Sequence, residues 1–270
     1  MSSTRIRLLL SDVDGTLVKM DKTLTERSIE AVRALHDAGI HFAVTSGRPP
    51  RGMSMLVEPL ALRTPLAAFN GGLVVEPDMD VIEQHVVPDE LVAPTIELLE
   101  SHQLSVWVYR GADWLVRDPN GPHVARESHT VQFAPKVVDS LDDATDDVAK
   151  IVGVSDDRDA IAAAGTAAHD QFGDHVSASR SQPYYLDVTH PQANKGGVVK
   201  FLSAKYGIPT EEIATIGDMP SDVLMFAHSG LSIAMGNADR EVQRAARRVT
   251  TTNEEDGFAN AVHRFILASL

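Results

Sequence analysis

The stretch LLLSDVDGTLV, residues 8–18, runs an apolar strand straight into two carboxylates, Asp12 and Asp14, and then into Gly15 and Thr16. In a regular strand, residues two apart share a face, so this spacing predicts two like charges held close in a partly buried place. Such a pair is costly without a cation, and the pair is expected in a metal-bound loop just beyond the strand.

Outward from that stretch, the chain repeats one pattern: an apolar run that ends in polar or glycine residues. Residues 5–13 read as a buried strand, and residues 25–38 carry Ile29, Val32 and Leu35 at helical spacing before Gly39 as a stop. IHFAVTSGRPP is a second strand, ending in Ser46, Gly47 and Arg48, and PLAAF is a third, ending at Asn70, Gly71 and Gly72. The C-terminal part continues with a helix from about Lys195 to Tyr206, strand IATIGD, a helix through Val223 to Ala227, strand LSIAM and a helix from Asp239 to Arg248. This is how an α/β chain with a Rossmann-like parallel sheet reads, with ligands gathered at the strand exits.

Between these halves the texture changes to α+β. Strands LSVWVYR and DWLVRD, a helix from about Pro88 to His102 and the Asp-rich DSLDDATDDVAK read as a second domain inserted into the first. The expected division is residues 1–82 with 188–270 for one domain and 83–187 for the other. The Asp cluster between Asp139 and Asp147 lacks the DxDxDG pattern and final Glu of a calcium loop, so a solvated helix start is the expectation.

With 270 residues and a hydrophobic fraction of 43%, the chain can build one large or two moderate cores. It has no cysteine, which excludes disulfides, thiolate zinc sites and a cysteine nucleophile. Its net charge of -14 argues against nucleic acid or an anionic membrane as partner. A phosphate ligand then needs local positive groups: a divalent metal, a lysine, or backbone N–H groups at helix starts. MSSTRIRLLLSDVDG lacks the long apolar core of a signal peptide, and no run approaches the length of a membrane span, so cytoplasm is the expectation.

Four predicted exits and helix starts carry complementary chemistry: Asp12 with Asp14, Ser46, Lys195, and GDMPSD with Asp218 and Asp222. Singly, each has a plainer reading: a DxD is a turn or cap, a lysine a solvated helix residue, a serine an N-cap. Together, three or four carboxylates around one point demand a hard cation, and oxygen ligands without a His or Cys pattern favour Mg2+ over zinc. An ionised carboxylate beside Mg2+, with a lysine and a hydroxyl to hold anionic oxygens, is suited to attack phosphorus. The second carboxylate, Asp14, is placed to protonate a leaving oxygen and then to take a proton from water.

These residues resemble the haloacid dehalogenase superfamily, whose four motifs stand here as DVDGT, TSGR, NKGG and GDMPSD over nearly the whole chain. NGG after the third strand, SIAMGNA and TTTNEEDGFANAV resemble its Cof-type branch, which contains many sugar phosphatases and carries a large α/β cap between the second and third motifs. The resemblance implies that Asp12 is the nucleophile and Asp14 the acid and base. It implies that Ser46 hydrogen-bonds the phosphoryl group and that Lys195 stabilises its charge and positions Asp12. Asp12, the carbonyl of Asp14 and Asp218 bind Mg2+, supported by Asp222. Gly15, Thr16, Gly47, Arg48, Asn70, Gly71 and Ser221 line the phosphate and substrate side, although an arginine such as Arg48 equally suits a surface ion pair. Ser221 stands where many relatives have Asn, and its shorter side chain is expected to reach phosphate through water.

The implied activity is Mg2+-dependent hydrolysis of small phosphate monoesters, most plausibly sugar phosphates, by a monomer with a small phosphorylated metabolite as its partner. A phosphomutase of the phosphomannomutase type, a phosphosugar sensor and a receiver domain that keeps its phosphate are the alternatives. The capping insertion argues against a receiver. Trp107, Tyr109, Trp114, Tyr184 and Tyr185 read as sheet packing before sugar stacking, and His123 and His190 as loop or surface residues.

Overall fold

The computed structural model describes residues 5–144 and 146–269, and residues 1–4 of the expected first domain, Thr145 and Leu270 lie outside the described residues. The strands are β1 (Leu8–Asp12), β2 (His41–Thr45), β3 (Leu66–Ala68), β4 (Leu73–Val75), β5 (Val81–Gln84), β6 (Ser105–Arg110), β7 (Asp113–Val116), β8 (Lys136–Val137), β9 (Val148–Val154), β10 (Ser177–Gln182), β11 (Tyr185–Thr189), β12 (Ile213–Gly217), β13 (Leu231–Ala234) and β14 (Arg248–Val249). The main helices are α1 (Glu26–Asp37), α2 (Asp89–Ser101), α3 (Val124–Val131), α4 (Arg158–Phe172) and α5 (Lys195–Tyr206).

Eight strands form the first sheet in the order β14-β13-β12-β1-β2-β3-β4-β5. From β14 to β3 neighbouring strands are parallel, and β4 and β5 add an antiparallel edge. Strand β1 is buried along its length because α1 covers one face of the sheet and α5 the other. Helix α1 starts where the Thr25 hydroxyl accepts the Ser28 N–H, and it buries Ala31, Val32 and Leu35 before ending at Gly39 with φ +72°. Helix α5 starts in the same manner, with the Asn194 side chain accepting the Gly197 N–H at 2.9 Å. That cap sets Lys195 at the first helical position, facing the sheet.

The second sheet has the order β10-β11-β9-β6-β7-β8 and is antiparallel except between β7 and β8. Side chains alternate across it. Val106, Val108, Ile151, Leu186 and Val188 pack under α2 and α4, whereas Trp107, Tyr109, Trp114, Val152 and Tyr185 join the cluster containing Phe69 and Met53 of the first sheet's loops. The aromatics of LSVWVYR and DWLVRD therefore pack against one another and the first domain, with Trp107 and Trp114 centroids 5.1 Å apart.

Three local expectations change. Strand β5 pairs in the first sheet through Gln84 and β11 in the second through Thr189, each slightly beyond the expected boundaries at 83 and 187. Strand β3 stops at Ala68 because Phe69 and Asn70 take φ of 49° and 59°, a left-handed pair that no strand contains. Residues 139–147 start no helix among the described residues: Asp142 N–H is drawn to the Ser140 hydroxyl and Asp147 sits at φ 53°. Aspartate and serine side chains compete with the helical backbone for hydrogen bonds, which favours turns here.

Candidate active site

Register places the functional groups together. Asp12 pairs with Thr45 across β1–β2, and Ser11 with Ile216 across β1–β12, so Asp12, Ser46 and Asp218 follow one another at the same sheet end. Lys195 arrives from the buried start of α5.

Asp12, Lys195 and Asp222 are almost fully shielded from solvent. The Lys195 ammonium bridges the two carboxylates, 2.5 Å from Asp12 Oδ1 and 2.5 Å from Asp222 Oδ1. Burial disfavours the lysine's charge, but the two carboxylates outweigh it and hold Lys195 protonated. Burial, together with the charges of Asp222 and Asp218, pushes the Asp12 carboxyl up against the opposing pull of Lys195. Asp218 is raised to about 7 by burial and by Asp222. The other oxygen of Asp222 accepts the N–H groups of Asp218 and Met219 at 2.9 and 2.8 Å, which fixes it.

Asp12, Asp218 and Asp222 can offer one oxygen each within 4.8 Å of one another. An all-oxygen set of this kind fits a hard divalent cation. The backbone leaves room for it: a Cβ on Gly15, at φ +80°, would lie 2.3 Å from Asp218 Oδ2. Thr16 donates to Asp218 Oδ1 at 3.2 Å, so Gly15 and Thr16 shape the Asp218 side of the cluster.

Asp12 and Asp14 do not share a face. Strand β1 ends at Asp12, and Leu17 and Val18 N–H turn back to the Val13 carbonyl. Asp14 is thereby swung to a different set of charges. Arg48 grips it with Nε on Oδ2 and Nη2 on Oδ1, both at 2.7 Å, and Lys22 Nζ lies 2.7 Å from Oδ1. Burial pushes the Asp14 carboxyl up, but the hydrogen bonds and charges of Arg48 and Lys22 prevail and hold it at about 2. Arg48 is buried, with Nη1 on the Gly52 carbonyl, so it is no surface ion pair.

The Ser46 hydroxyl is buried and accepts the Arg48 N–H at 3.2 Å. Asn70 flanks this loop: its N–H donates to the Ser46 carbonyl at 2.7 Å and its side chain lies beside Gly47. Gly71, at φ +103°, instead backs onto α5, where a Cβ would come within 3.0 Å of the Asn194 carbonyl. Ser221 sits half-buried in the turn before Asp222.

Three contributors escape sequence reasoning. Lys22 lies in a loop with no pattern around it, and only the turn at Gly15 brings it to Asp14. Asn237, inside the quoted SIAMGNA, donates to the Gly15 carbonyl at 2.9 Å and to Asp218 Oδ2 at 3.2 Å, and accepts the Asn253 N–H at 2.9 Å. Lys150 carried a signal, a lysine in the middle of the apolar VAKIVGV, and its ammonium reaches the Gly47 carbonyl at 3.1 Å.

The fold and this acidic, lysine-bridged strand-end cluster define a protein of α/β architecture, with a second sheet inserted between the site-bearing segments and a site suited to a divalent cation. The chain belongs to the haloacid dehalogenase-like hydrolase family, whose model matches residues 9–262. It is 28% identical to the Bacillus subtilis 5-amino-6-(5-phospho-D-ribitylamino)uracil phosphatase YitU, over 97% of this chain and 98% of that protein. It is 27% identical to the Escherichia coli pyridoxal phosphate phosphatase YbhA, over 97% of this chain and 99% of that protein. A crystal structure of a haloacid dehalogenase-like hydrolase from Bacteroides thetaiotaomicron superposes with a TM-score of 0.88 at 29% identity, covering 96% of this chain and 99% of that one. No helix among the described residues is long and apolar enough to cross a membrane.

Proposed function

We propose that this phosphatase hydrolyses small phosphate monoesters, sugar phosphates foremost, in a Mg2+-dependent reaction through phosphoryl-Asp12. The observation that carries the reading is the separation of two carboxylates of one loop into different environments: Asp12 buried against Lys195 and the acidic cluster, Asp14 clamped by Arg48 and Lys22. The named activities of YitU and YbhA support small phosphorylated metabolites as the class.

Asp12, Asp218 and Asp222 would hold the Mg2+, with the Asp14 carbonyl completing the protein ligands; the metal neutralises phosphoryl charge when bound. Lys195 holds Asp12 in place, and its charge opposes the burial and the acidic neighbours that push the carboxyl up. Asp12 attacks phosphorus, forming one P–O bond as the ester P–O bond breaks, and the leaving oxygen takes a proton that Asp14 has taken up from solvent with the substrate bound. A phosphate dianion arriving beside Asp14 raises its proton affinity, the direction an acid needs. Water then attacks the phosphoryl group, Asp14 takes its proton, and inorganic phosphate leaves with Asp12 regenerated. Ser46, with Gly47 and Asn70 beside it, lines the phosphoryl site together with Ser221, and residues of the 83–187 insertion cover the leaving group. The cysteine-free composition supports a cytoplasmic setting.

The test is phosphate release from a panel of sugar phosphates and other monoesters with Mg2+, comparing wild type with Asp12→Asn. Turnover by wild type and loss of at least about three orders of magnitude in the variant is expected. Wild-type turnover in Asp12→Asn would sink the mechanism, and interconversion of sugar phosphate isomers without phosphate release would replace the hydrolase with a mutase.

A further inference from the structure

Strands VAKIVGV and YLDVT set two ionisable groups, Lys150 and Asp187, into the aromatic face that the second sheet turns toward the first. Register puts them there: Lys150 stands opposite Tyr109, and Asp187 opposite Val152. Lys150 is 6% exposed and Asp187 4%, with the ammonium 3.3 Å from Asp187 Oδ2. Asp187 Oδ1 has no hydrogen-bond partner. A buried pair this incompletely satisfied gains nothing over apolar packing, so its contribution to stability does not account for it.

The second partner of the ammonium does. Lys150 Nζ crosses the junction between the two sheets and donates to the Gly47 carbonyl. Its charge lies over Tyr109 of the second sheet at 4.9 Å and Phe69 of the first domain at 5.6 Å. Gly47 is the middle of Ser46–Gly47–Arg48, and all three carbonyls of that loop are held. Asn70 N–H takes the Ser46 carbonyl at 2.7 Å and Phe69 N–H takes the Arg48 carbonyl at 3.0 Å, both from within the first domain. The central carbonyl is held by the inserted domain. This loop presents the Ser46 hydroxyl and the guanidinium that orients Asp14.

We propose that Lys150 is a positioning residue for phosphoryl transfer: its bond to the Gly47 carbonyl couples the seating of the inserted domain to the geometry of the Ser46–Arg48 loop, with Asp187 as its counter-charge. The proposal rests on the phosphatase reading above. It makes the loop geometry dependent on a group more than a hundred residues away, so Ser46 and Arg48 are fully ordered only when the inserted domain sits down on them.

The experiment compares wild type, Lys150→Met/Asp187→Asn and Lys150→Arg with glucose 6-phosphate and p-nitrophenyl phosphate in Mg2+, alongside thermal melting and hydrogen exchange. The double variant removes both charges of the pair, so neither partner is left buried alone; Glu127, which feels both charges, keeps its hydrogen bond from the Tyr109 hydroxyl. It is expected to melt at or above the wild-type temperature, to lose roughly tenfold or more in kcat with a smaller change in KM, and to exchange amides of residues 44–50 faster. Lys150→Arg, which keeps a cation and a donor, is expected to recover most of the kcat. A folded double variant with wild-type kcat and wild-type exchange overturns the proposal, as does Lys150→Arg as slow as the double variant. Should the double variant not fold, Asp187→Asn alone, which leaves the Lys150 donor, must keep kcat within about threefold, and a larger loss overturns the proposal. If wild type releases no phosphate, the phosphatase reading fails instead, and hydrogen exchange still decides whether Lys150 orders the loop.

Discussion

Replacing Arg48 with Met keeps most of the side-chain volume and removes the clamp on Asp14. Arg48 supplies two bonds of 2.7 Å to that carboxylate and is 3% exposed, so water does not readily take its place. Charge-assisted hydrogen bonds of this kind are each worth about 1.5–3 kcal/mol. Without them, the burial that already pushes Asp14 upward is opposed chiefly by Lys22, itself 23% exposed. The Asp14 pKa, held at about 2, should therefore rise by roughly 1–3 units, or about 1.4–4 kcal/mol. The sign for stability follows. A carboxylate depressed in the folded state stabilises the protein above its unfolded pKa of about 4, and that contribution is lost as pH falls through about 2. In Arg48→Met the contribution at neutral pH shrinks, and changes sign where the folded pKa passes the unfolded one, and acid unfolding begins at higher pH. The assay is a 13C carboxyl titration of the Mg2+-loaded protein, with the Asp14 signal identified by its absence in Asp14→Asn. Arg48→Lys, which keeps charge but loses the fork, should fall between the two. An Asp14 that still titrates near 2 in folded Arg48→Met refutes the assignment of the clamp to Arg48.

Gly15→Ala should cripple metal loading: its Cβ would lie 2.3 Å from Asp218 Oδ2 at a φ of +80°, so a Mg2+ titration should show affinity weakened by about tenfold or more, with stability down by about 1–3 kcal/mol. Native-like Mg2+ affinity in that variant would contradict the cradle that Gly15 forms against Asp218. Mg2+ should raise the melting temperature, because the buried Asp12, Asp218 and Asp222 repel one another without it; saturation at a hundred times Kd corresponds to about 2.7 kcal/mol. A melting temperature indifferent to Mg2+ and to chelator would argue against a cation in this cluster.

What the sequence made legible was local. Asp12, Ser46 and Asp218 each follow an apolar strand directly, so identifying the strands placed them at one sheet end, and the Asn194 cap placed Lys195 beside them. Residues whose role depends on a turn or on a distant strand were not legible. A regular strand would put Asp12 and Asp14 on one face; as expected the chain leaves the strand there, Asp12 being its last residue, but the turn at Gly15 that separates them has a positive φ no strand periodicity reveals. Lys22 and Arg48 meet at Asp14 only through that turn. The partner of Lys150 lies across the domain junction, and period-two alternation says which face a residue takes but not what that face meets. The acidic run at 139–147 would suit the first turn of a helix, but the preference of aspartate for turns prevails there.

The charge at the site explains how a chain with a net charge of -14 can handle phosphate at all. Four carboxylates, Asp12, Asp14, Asp218 and Asp222, face three cations, Lys195, Arg48 and Lys22. Arg48 and Lys22 are both committed to Asp14, and Lys195 is shared between Asp12 and Asp222, so little cationic charge is left for a ligand. With all four carboxylates ionised the cluster is one charge negative and would repel a phosphate dianion, and the raised Asp12 and Asp218 show how strongly that excess charge is resisted. A divalent cation among Asp12, Asp218 and Asp222 reverses the sign to one positive, and in a buried site that reversal is felt far more strongly than it is in water. Phosphate affinity should therefore depend steeply on the metal, and inorganic phosphate should bind measurably with Mg2+ present and barely after chelation. Calorimetry with phosphate in the two conditions decides it: equal affinities would mean that the phosphate is held elsewhere, or that Lys195 leaves its carboxylates to meet it.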